Sequence, residues 1–239
     1  MITALILAGG KGLRIGSDVP KQYIQVGKRP IISYCLRTLA CSNRIDAIWI
    51  VADRMRQDYI RGCMERDARL LGERVLKKFR GFSEPGENRQ LSIYNGICDV
   101  IKYIGVDGYI LVHDAARPRL SMTLIKRCVD AADGHDGVIP VIPMKDTVYR
   151  SDDGKNITGL LKRSTLYAGQ APELFSINKY YEANRTLIPD KILDINGSTE
   201  PAVLSGMDIV MVNGHESNYK ITTASDLERF KSYVASLHI

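Results

Sequence analysis

Short apolar runs alternate along this chain with longer stretches of helical period, and that alternation limits the fold more than any other feature. The first run, ITALILA at 2–8, is apolar without interruption, as in a strand buried on both faces. Pro30 then opens PIISYCLRTLACS, whose apolar residues Ile31, Tyr34, Cys35 and Leu39 share one helical face. IDAIWIVAD reads as a second strand and RMRQDYIRGCMERDARLL as a helix. A third strand is expected within ERVLKKFRGF and a helix over NRQLSIYNGICDVIKYI. GYILVHDA and DGVIPVIP are further strands, separated by a helix that starts near Ser121. Strands that alternate with helices predict a doubly wound, mostly parallel sheet with helices on both faces.

The rhythm breaks between 144 and 168. Asp153-Gly154 lies between two strand-like pieces, DTVYR and NITGLL, which is a hairpin signal. A hairpin inserted in an α/β chain projects from the body and finds a partner. After it come a helix over SINKYYEANRTL, a strand over GMDIVMVNG and a helix over TASDLERFKSYVASL capped by Thr223 or Ser225.

Composition narrows the function. The chain has 239 residues and a formal charge of +6, but its basic residues are interleaved with acids, as in MRQDYIRGCMERDARLLGERVLKKFR. Without an arginine-rich tail or an aromatic stacking pattern, that balance points to a small phosphorylated ligand and not to nucleic acid. No apolar run approaches the roughly 20 residues of a membrane helix. MITALILAGG has neither the basic start nor the cleavage site of a signal peptide, so a cytoplasmic protein with no membrane partner is expected. Cys35, Cys41, Cys63, Cys98 and Cys128 include no C-x-x-C pair and read as reduced thiols. His113, His135, His215 and His238 share no ligand spacing, so no zinc site is expected.

The chemistry begins where the first strand ends, in ILAGGKGLR. Glycines after a buried strand let the backbone approach a ligand, and their N–H groups cradle phosphate. The dinucleotide fingerprint is half met: Gly10 and Gly12 fit, but Ile15 stands in the third glycine's place. A nicotinamide-dependent dehydrogenase is therefore disfavoured. No Gly-Lys-Ser/Thr closes the loop as in a P-loop. Arg14 and Lys21 follow, and backbone N–H groups with two cations suit a polyphosphate.

This opening, LAGGKGLR followed by PKQY, resembles the cytidylyltransferases that act on methylerythritol phosphate and their relatives that act on ribitol phosphate. PGENRQLSIYNG (85–96), VHDAARP (112–118), KDTV (145–148), LKRSTLYAGQAPELF (161–175) and NYKITTASDL (218–227) resemble further segments of that family, in the same order. The resemblance implies a Rossmann-like, GT-A-like nucleotidyltransferase fold in one domain over 1–239, with 144–168 as an inserted dimerisation arm. It implies transfer of CMP from CTP to a small polyol phosphate, methylerythritol 4-phosphate before ribitol 5-phosphate, with release of pyrophosphate.

Such a reaction asks for cations and a metal ligand and not for a nucleophile. By resemblance, Arg14, Lys21 and Lys220 are catalytic, and Asp114 holds Mg²⁺. Ala8, Gly9, Gly10, Gly12, Gly86, Glu87, Arg89 and Ser92 bind the nucleotide. Arg117, Thr147 and Arg163 bind the acceptor, the last two reaching across a homodimer. His113 reads as a structural residue beside Asp114. Three departures stand out. LAGG and LYAGQAP lean to the ribitol side and DAARP to the methylerythritol side. INGSTEPAVLSG replaces a Thr-Asp-rich stretch, so the carboxylate expected there is missing or shifted to Glu200. Ser217 stands where some relatives carry an aspartate, which leaves a second metal contact besides Asp114 open. Two rivals remain: a sugar-phosphate uridylyl- or thymidylyltransferase, and a non-catalytic nucleotide-binding module on the same fold.

Overall fold

The strand β1 (Ile2–Leu7) lies at the centre of the molecule, as its unbroken apolar run predicts. The computed structural model describes residues 1–10 and 19–237. A 3-10 turn at Lys21–Tyr23 and two short strands, β2 (Gln25–Val26) and β3 (Arg29–Pro30), lead into α1 (Ile31–Cys41). The chain continues through β4 (Ala47–Val51), α2 (Arg54–Leu71), α3 (Arg74–Lys78) and β5 (Phe79–Ser83). Next come α4 (Arg89–Ile104), β6 (Tyr109–Asp114), α5 (Met122–Asp130) and β7 (Gly137–Pro143).

Within ERVLKKFRGF the expected strand occupies only the second half. RVLKK instead completes a helical turn that buries Val75 and leaves Lys77 exposed. Asn88 and Ser121 cap their helices through their side chains, accepting from the backbone N–H groups of Leu91 and Leu124.

After β7 a separate two-stranded ribbon forms from β8 (Val148–Arg150) and β9 (Gly159–Leu161). Two elements that the periodicity did not reveal follow: β10 (Tyr167–Gly169) and β11 (Glu173–Ser176). Both run antiparallel to β7 and occupy successive stretches of one of its edges. Tyr167 and Ala168, expected in the inserted arm, therefore belong to the main sheet. The chain closes with α6 (Ile177–Arg185), α7 (Glu200–Leu204), β12 (Ile209–Asn213) and α8 (Ala224–Ser236), the last begun by a capping box of Thr223 and Asp226.

Strands β5, β4, β1 and β6 are parallel neighbours in that order, and β12 pairs in parallel with the other edge of β7. Successive residues of β1 face opposite layers, which is why the run has no polar gap. Ala4 and Ile6 pack with Leu36 and Leu39 of α1 and Leu124 of α5. Leu5 packs with Ile93 and Ile97 of α4 and with Tyr180 of α6. A third, smaller cluster joins Val26 and Ile31 to Ile221, Leu227 and Phe230 of the C-terminal segment. The five cysteines are free thiols. Among the described residues no helix is long and apolar enough to cross a membrane.

Candidate nucleotide site

The parallel strands all point their carboxyl ends at one edge of the sheet, where open α/β sheets bind ligands. A cleft of about 750 Å³ opens there. Its wall includes Gly9, Gly10 and Lys21 from the first loop, Gly86, Glu87, Arg89 and Ser92 from the head of α4, and Asp114 and Lys220. These expected residues are brought together. Gly12 and Arg14 lie outside the described residues.

The glycine loop is held from behind. The Ala8 N–H donates to the Val51 carbonyl (2.8 Å), and the Ala8 carbonyl accepts from Gln22 Nε2 (2.6 Å) and the Tyr23 hydroxyl (2.9 Å). Gln22 Nε2 also donates to the Gly10 carbonyl at 2.8 Å. Burial pushes the Tyr23 phenol up to about 12, so it stays a donor. The 3-10 turn that carries Lys21 is thereby fastened to the loop. Ala8 itself is buried and serves as the anchor, not as part of the cleft wall. A Cβ on Gly9 would stand 2.6 Å from Pro85 Cβ, whereas a Cβ on Gly10 would meet nothing within 4 Å. Gly9 is thus required by packing, and Gly10 leaves its backbone open.

At the head of α4, the Ser92 hydroxyl donates to the Asn88 carbonyl (2.8 Å) and accepts from the Gly86 N–H (3.0 Å). Its single hydrogen is spent, so towards a ligand it can only accept. Gly86 is fixed by close approach too: a Cβ there would lie 2.4 Å from Leu91 Cγ.

Asp114, at the end of β6, is 6% exposed and faces three cations. Arg89 Nε is 3.1 Å from Oδ1, Lys220 Nζ is 3.1 Å from Oδ2, and Arg117 Nε is 3.5 Å from Oδ2. Burial pushes the carboxyl up, but Arg89, Lys220 and Arg117 together outweigh it and hold it well below the usual range. The result is an ionised carboxylate inside a net positive cluster, a setting that draws in a polyanion.

Arg117 was expected at the acceptor, but it is nearly buried. Its Nη1 donates to the Asn218 carbonyl at 2.7 Å, and it does not line the cleft. Asn218 Nδ2 donates to the Ala171 carbonyl (2.6 Å), and the Ile221 N–H donates to the Ala116 carbonyl (2.9 Å). These bonds clamp the segment that presents Lys220. His113 Nε2 lies 3.1 Å from the Arg117 carbonyl, and burial pushes the imidazole down to about 4. It is a neutral imidazole that donates to that carbonyl.

Thr147 and Arg163 are exposed at the base of the ribbon and do not line the cleft. Arg163 Nη1 donates to the Lys145 carbonyl at 2.5 Å.

Sequence reading missed Glu173. It is 8% exposed, pairs in register with Val112, and accepts from the hydroxyls of Ser198 and Thr199. Burial pushes its carboxyl up, and Arg89 opposes that shift. Glu200 instead closes its own loop, accepting from the N–H groups of Asn196 (2.9 Å) and Gly197 (3.3 Å). The carboxylate beside this loop therefore comes from β11 and not from the loop. Only the cross-strand register reveals it.

The donor chemistry of the cleft fits Mg²⁺ in one mode. Asp114 gives one ionised carboxylate, and among the described residues no cluster of three ligating side chains exists. Mg²⁺ is held in that way by one carboxylate with phosphates and waters.

The family model described as IspD, 2-C-methyl-D-erythritol 4-phosphate cytidylyltransferase, matches residues 2–236. A 2-C-methyl-D-erythritol 4-phosphate cytidylyltransferase of Lachnospira eligens is 31% identical over 95% of this chain and 96% of its own. A ribitol-5-phosphate cytidylyltransferase of Streptococcus pneumoniae serotype 2 is 29% identical over 98% of this chain and 99% of its own. Among solved structures, the 4-diphosphocytidyl-2C-methyl-D-erythritol synthase of Anaerococcus prevotii superposes with a TM-score of 0.79 at 26% identity, covering 98% of this chain and 96% of that one.

Proposed function

Because the chain belongs to the IspD family of 2-C-methyl-D-erythritol 4-phosphate cytidylyltransferases, we propose that its cleft transfers CMP from CTP to a small polyol phosphate and releases pyrophosphate. The observation that carries this reading is the cation cluster around Asp114, set across the strand ends from an open glycine loop. A phosphate oxygen of the acceptor forms a bond to the α-phosphorus of CTP, and the bond from that phosphorus to the pyrophosphate oxygen breaks. The protein supplies position and positive charge for such a step.

Gly10 gives its open backbone to the phosphates. Lys21, held by the turn that Gln22 and Tyr23 fasten, meets the triphosphate together with Arg14. Lys220 meets the charge that builds on the α-phosphate. Arg117 acts through Asp114 and Asn218, as a strut and not as an acceptor ligand. When bound, Mg²⁺ neutralises phosphate charge, and Asp114 is the residue that would hold it.

Methylerythritol 4-phosphate is the acceptor proposed first, because the family model and the Lachnospira eligens relative carry that substrate in their names. The Streptococcus pneumoniae relative, at nearly the same identity, keeps ribitol 5-phosphate as the second reading. The exposed ribbon residues Ile157, Leu160 and Leu161 support a homodimer built on the arm. The five free thiols support a cytoplasmic enzyme.

The test is to incubate the protein with CTP, Mg²⁺ and each polyol phosphate, and to measure pyrophosphate release. Turnover of methylerythritol 4-phosphate at least about tenfold above ribitol 5-phosphate in kcat/KM supports the first acceptor. Turnover of glucose 1-phosphate alone overturns the reading in favour of a sugar nucleotidyltransferase.

A further inference from the structure

We propose that Asp53 accepts a hydrogen bond from the 4-amino group of the cytosine and so sets the preference for CTP over UTP; this rests on the cytidylyl-transfer reading above. Asp53 stands just beyond the end of β4, after Ala52, and lines the same cleft as Asp114. The register fixes how far apart they are. Leu7 pairs with Asp114 on one side and with Val51 on the other, so those two lie level with each other. Two strand spacings separate them, about 10 Å, the scale of a nucleoside. Asp53 lies two residues past Val51, beyond the end of β4, in the cleft wall.

The cleft is electrically polarised along that line. Arg89 and Lys220 mark one end, beside Asp114, and Lys21 adds a further cation to the cleft wall for the triphosphate. Phosphates are drawn there and repelled from the Asp53 carboxylate. The nucleoside must then run across the strand ends, over Leu7 and Val51 and past Pro85, which give it an apolar wall. Its base arrives at Asp53.

Asp53 has its acceptor capacity to give. It stands at the N-cap position of α2, but its side chain makes no capping bond. No hydrogen bond or ion pair engages its carboxylate among the described residues. The backbone around it is already spent: the Ala52 N–H donates to the Ser83 carbonyl (3.0 Å), and the Ala52 carbonyl accepts from Gln57 Nε2 (3.2 Å). On the opposite wall, Ser92 has no hydrogen left to offer. A carboxylate can only accept. Cytosine presents an amino group at C4, whereas uracil presents a carbonyl oxygen there, which faces the carboxylate lone pairs without a hydrogen between them.

The experiment is calorimetric binding of CTP and of UTP, with Mg²⁺, to the wild-type protein and to Asp53→Asn and Asp53→Ala. The wild-type protein is expected to prefer CTP. In both variants the ratio of the UTP to the CTP dissociation constant should fall by at least about tenfold, mostly through weaker CTP binding. Asparagine caps a helix as well as aspartate does, so Asp53→Asn should keep its thermal midpoint. An equal weakening of both nucleotides would place Asp53 on the ribose and overturn the proposal, as would an unchanged ratio in both variants. A wild-type protein that binds UTP but not CTP would overturn the cytidylyl reading itself.

Discussion

Lys220 Nζ lies 3.1 Å from Asp114 Oδ2, although the two residues come from distant parts of the chain. The pair holds the ammonium at the mouth of the cleft before any substrate is there. In a cytidylyltransferase, charge builds on the α-phosphate only as the new bond forms, and a preplaced cation acts mainly at that moment. Lys220→Ala is expected to lower kcat by about 10²-fold or more, with a smaller change in KM for CTP. Steady-state kinetics at varied CTP checks this, and a near-normal kcat would remove Lys220 from the chemistry.

Asp114→Asn should destabilise the protein at neutral pH. It leaves Arg89, Arg117 and Lys220 facing one another without their shared counter-charge. Breaking a buried pair from one side costs about 3–5 kcal/mol. The pH dependence follows from the direction of the shift. The folded carboxyl sits far below its unfolded value of about 4, so its contribution is complete above that value and is lost as pH falls. Glu173, pushed up by burial, works in the opposite direction. Urea unfolding at pH 7 and at pH 3 should therefore show a gap between wild type and Asp114→Asn that narrows in acid. A gap of constant size would mean that Asp114 is not held by its cations.

Gly9 and Gly10 should respond differently to alanine. Gly9→Ala drives a methyl group into Pro85 and should lower stability by about 1–3 kcal/mol. Gly10→Ala meets open space, so its unfolding midpoint should stay within about 0.5 kcal/mol of wild type. If phosphates lie against that backbone, the same methyl group raises KM for CTP several-fold. Denaturation and kinetics on the two variants separate packing from ligand approach.

The ribbon offers a test of assembly. Ile157 is 67% exposed, Leu160 68% and Tyr149 56%, and a two-stranded ribbon cannot bury such side chains by itself. If the proposed arm-built homodimer forms, a double change, Leu160→Asp with Leu161→Asp, should convert it to monomer in sedimentation velocity and reduce turnover of the polyol phosphate. Full activity in a monomer would show that each cleft is complete within one chain.

What the sequence makes legible is local. The helix over RMRQDYIRGCMERDARLL occupies Arg54–Leu71, and the caps at Asn88, Ser121 and Thr223 form where their short polar side chains suggest. A capping bond or an apolar stripe depends on residues a few positions apart, so the text contains it. Arg117 and Glu173 depend on other things. The direction of Arg117 is decided by a carbonyl at Asn218, and the burial of Glu173 by antiparallel pairing of β11 with β6. Neither partner is near in sequence, and the antiparallel strands carry no periodicity distinct from loop text. Asp53 was hidden for a different reason. In the sequence it is only the last letter of the strand text IDAIWIVAD, and its place at the N-cap of α2 without a capping bond shows only in the fold.

The small cluster of Val26, Ile31, Ile221, Leu227 and Phe230 has a consequence for biosynthesis. It roots the segment after Lys21 and the segment after Lys220 in the same patch of apolar side chains. A nascent chain carries Lys21, Arg89 and Asp114 long before Lys220 is made. Until Phe230 has left the ribosome, the patch under both lysines lacks its largest member, and Asp114 lacks one of its three cations. Competence to handle the nucleotide is therefore withheld through most of translation and arrives with the closing segment.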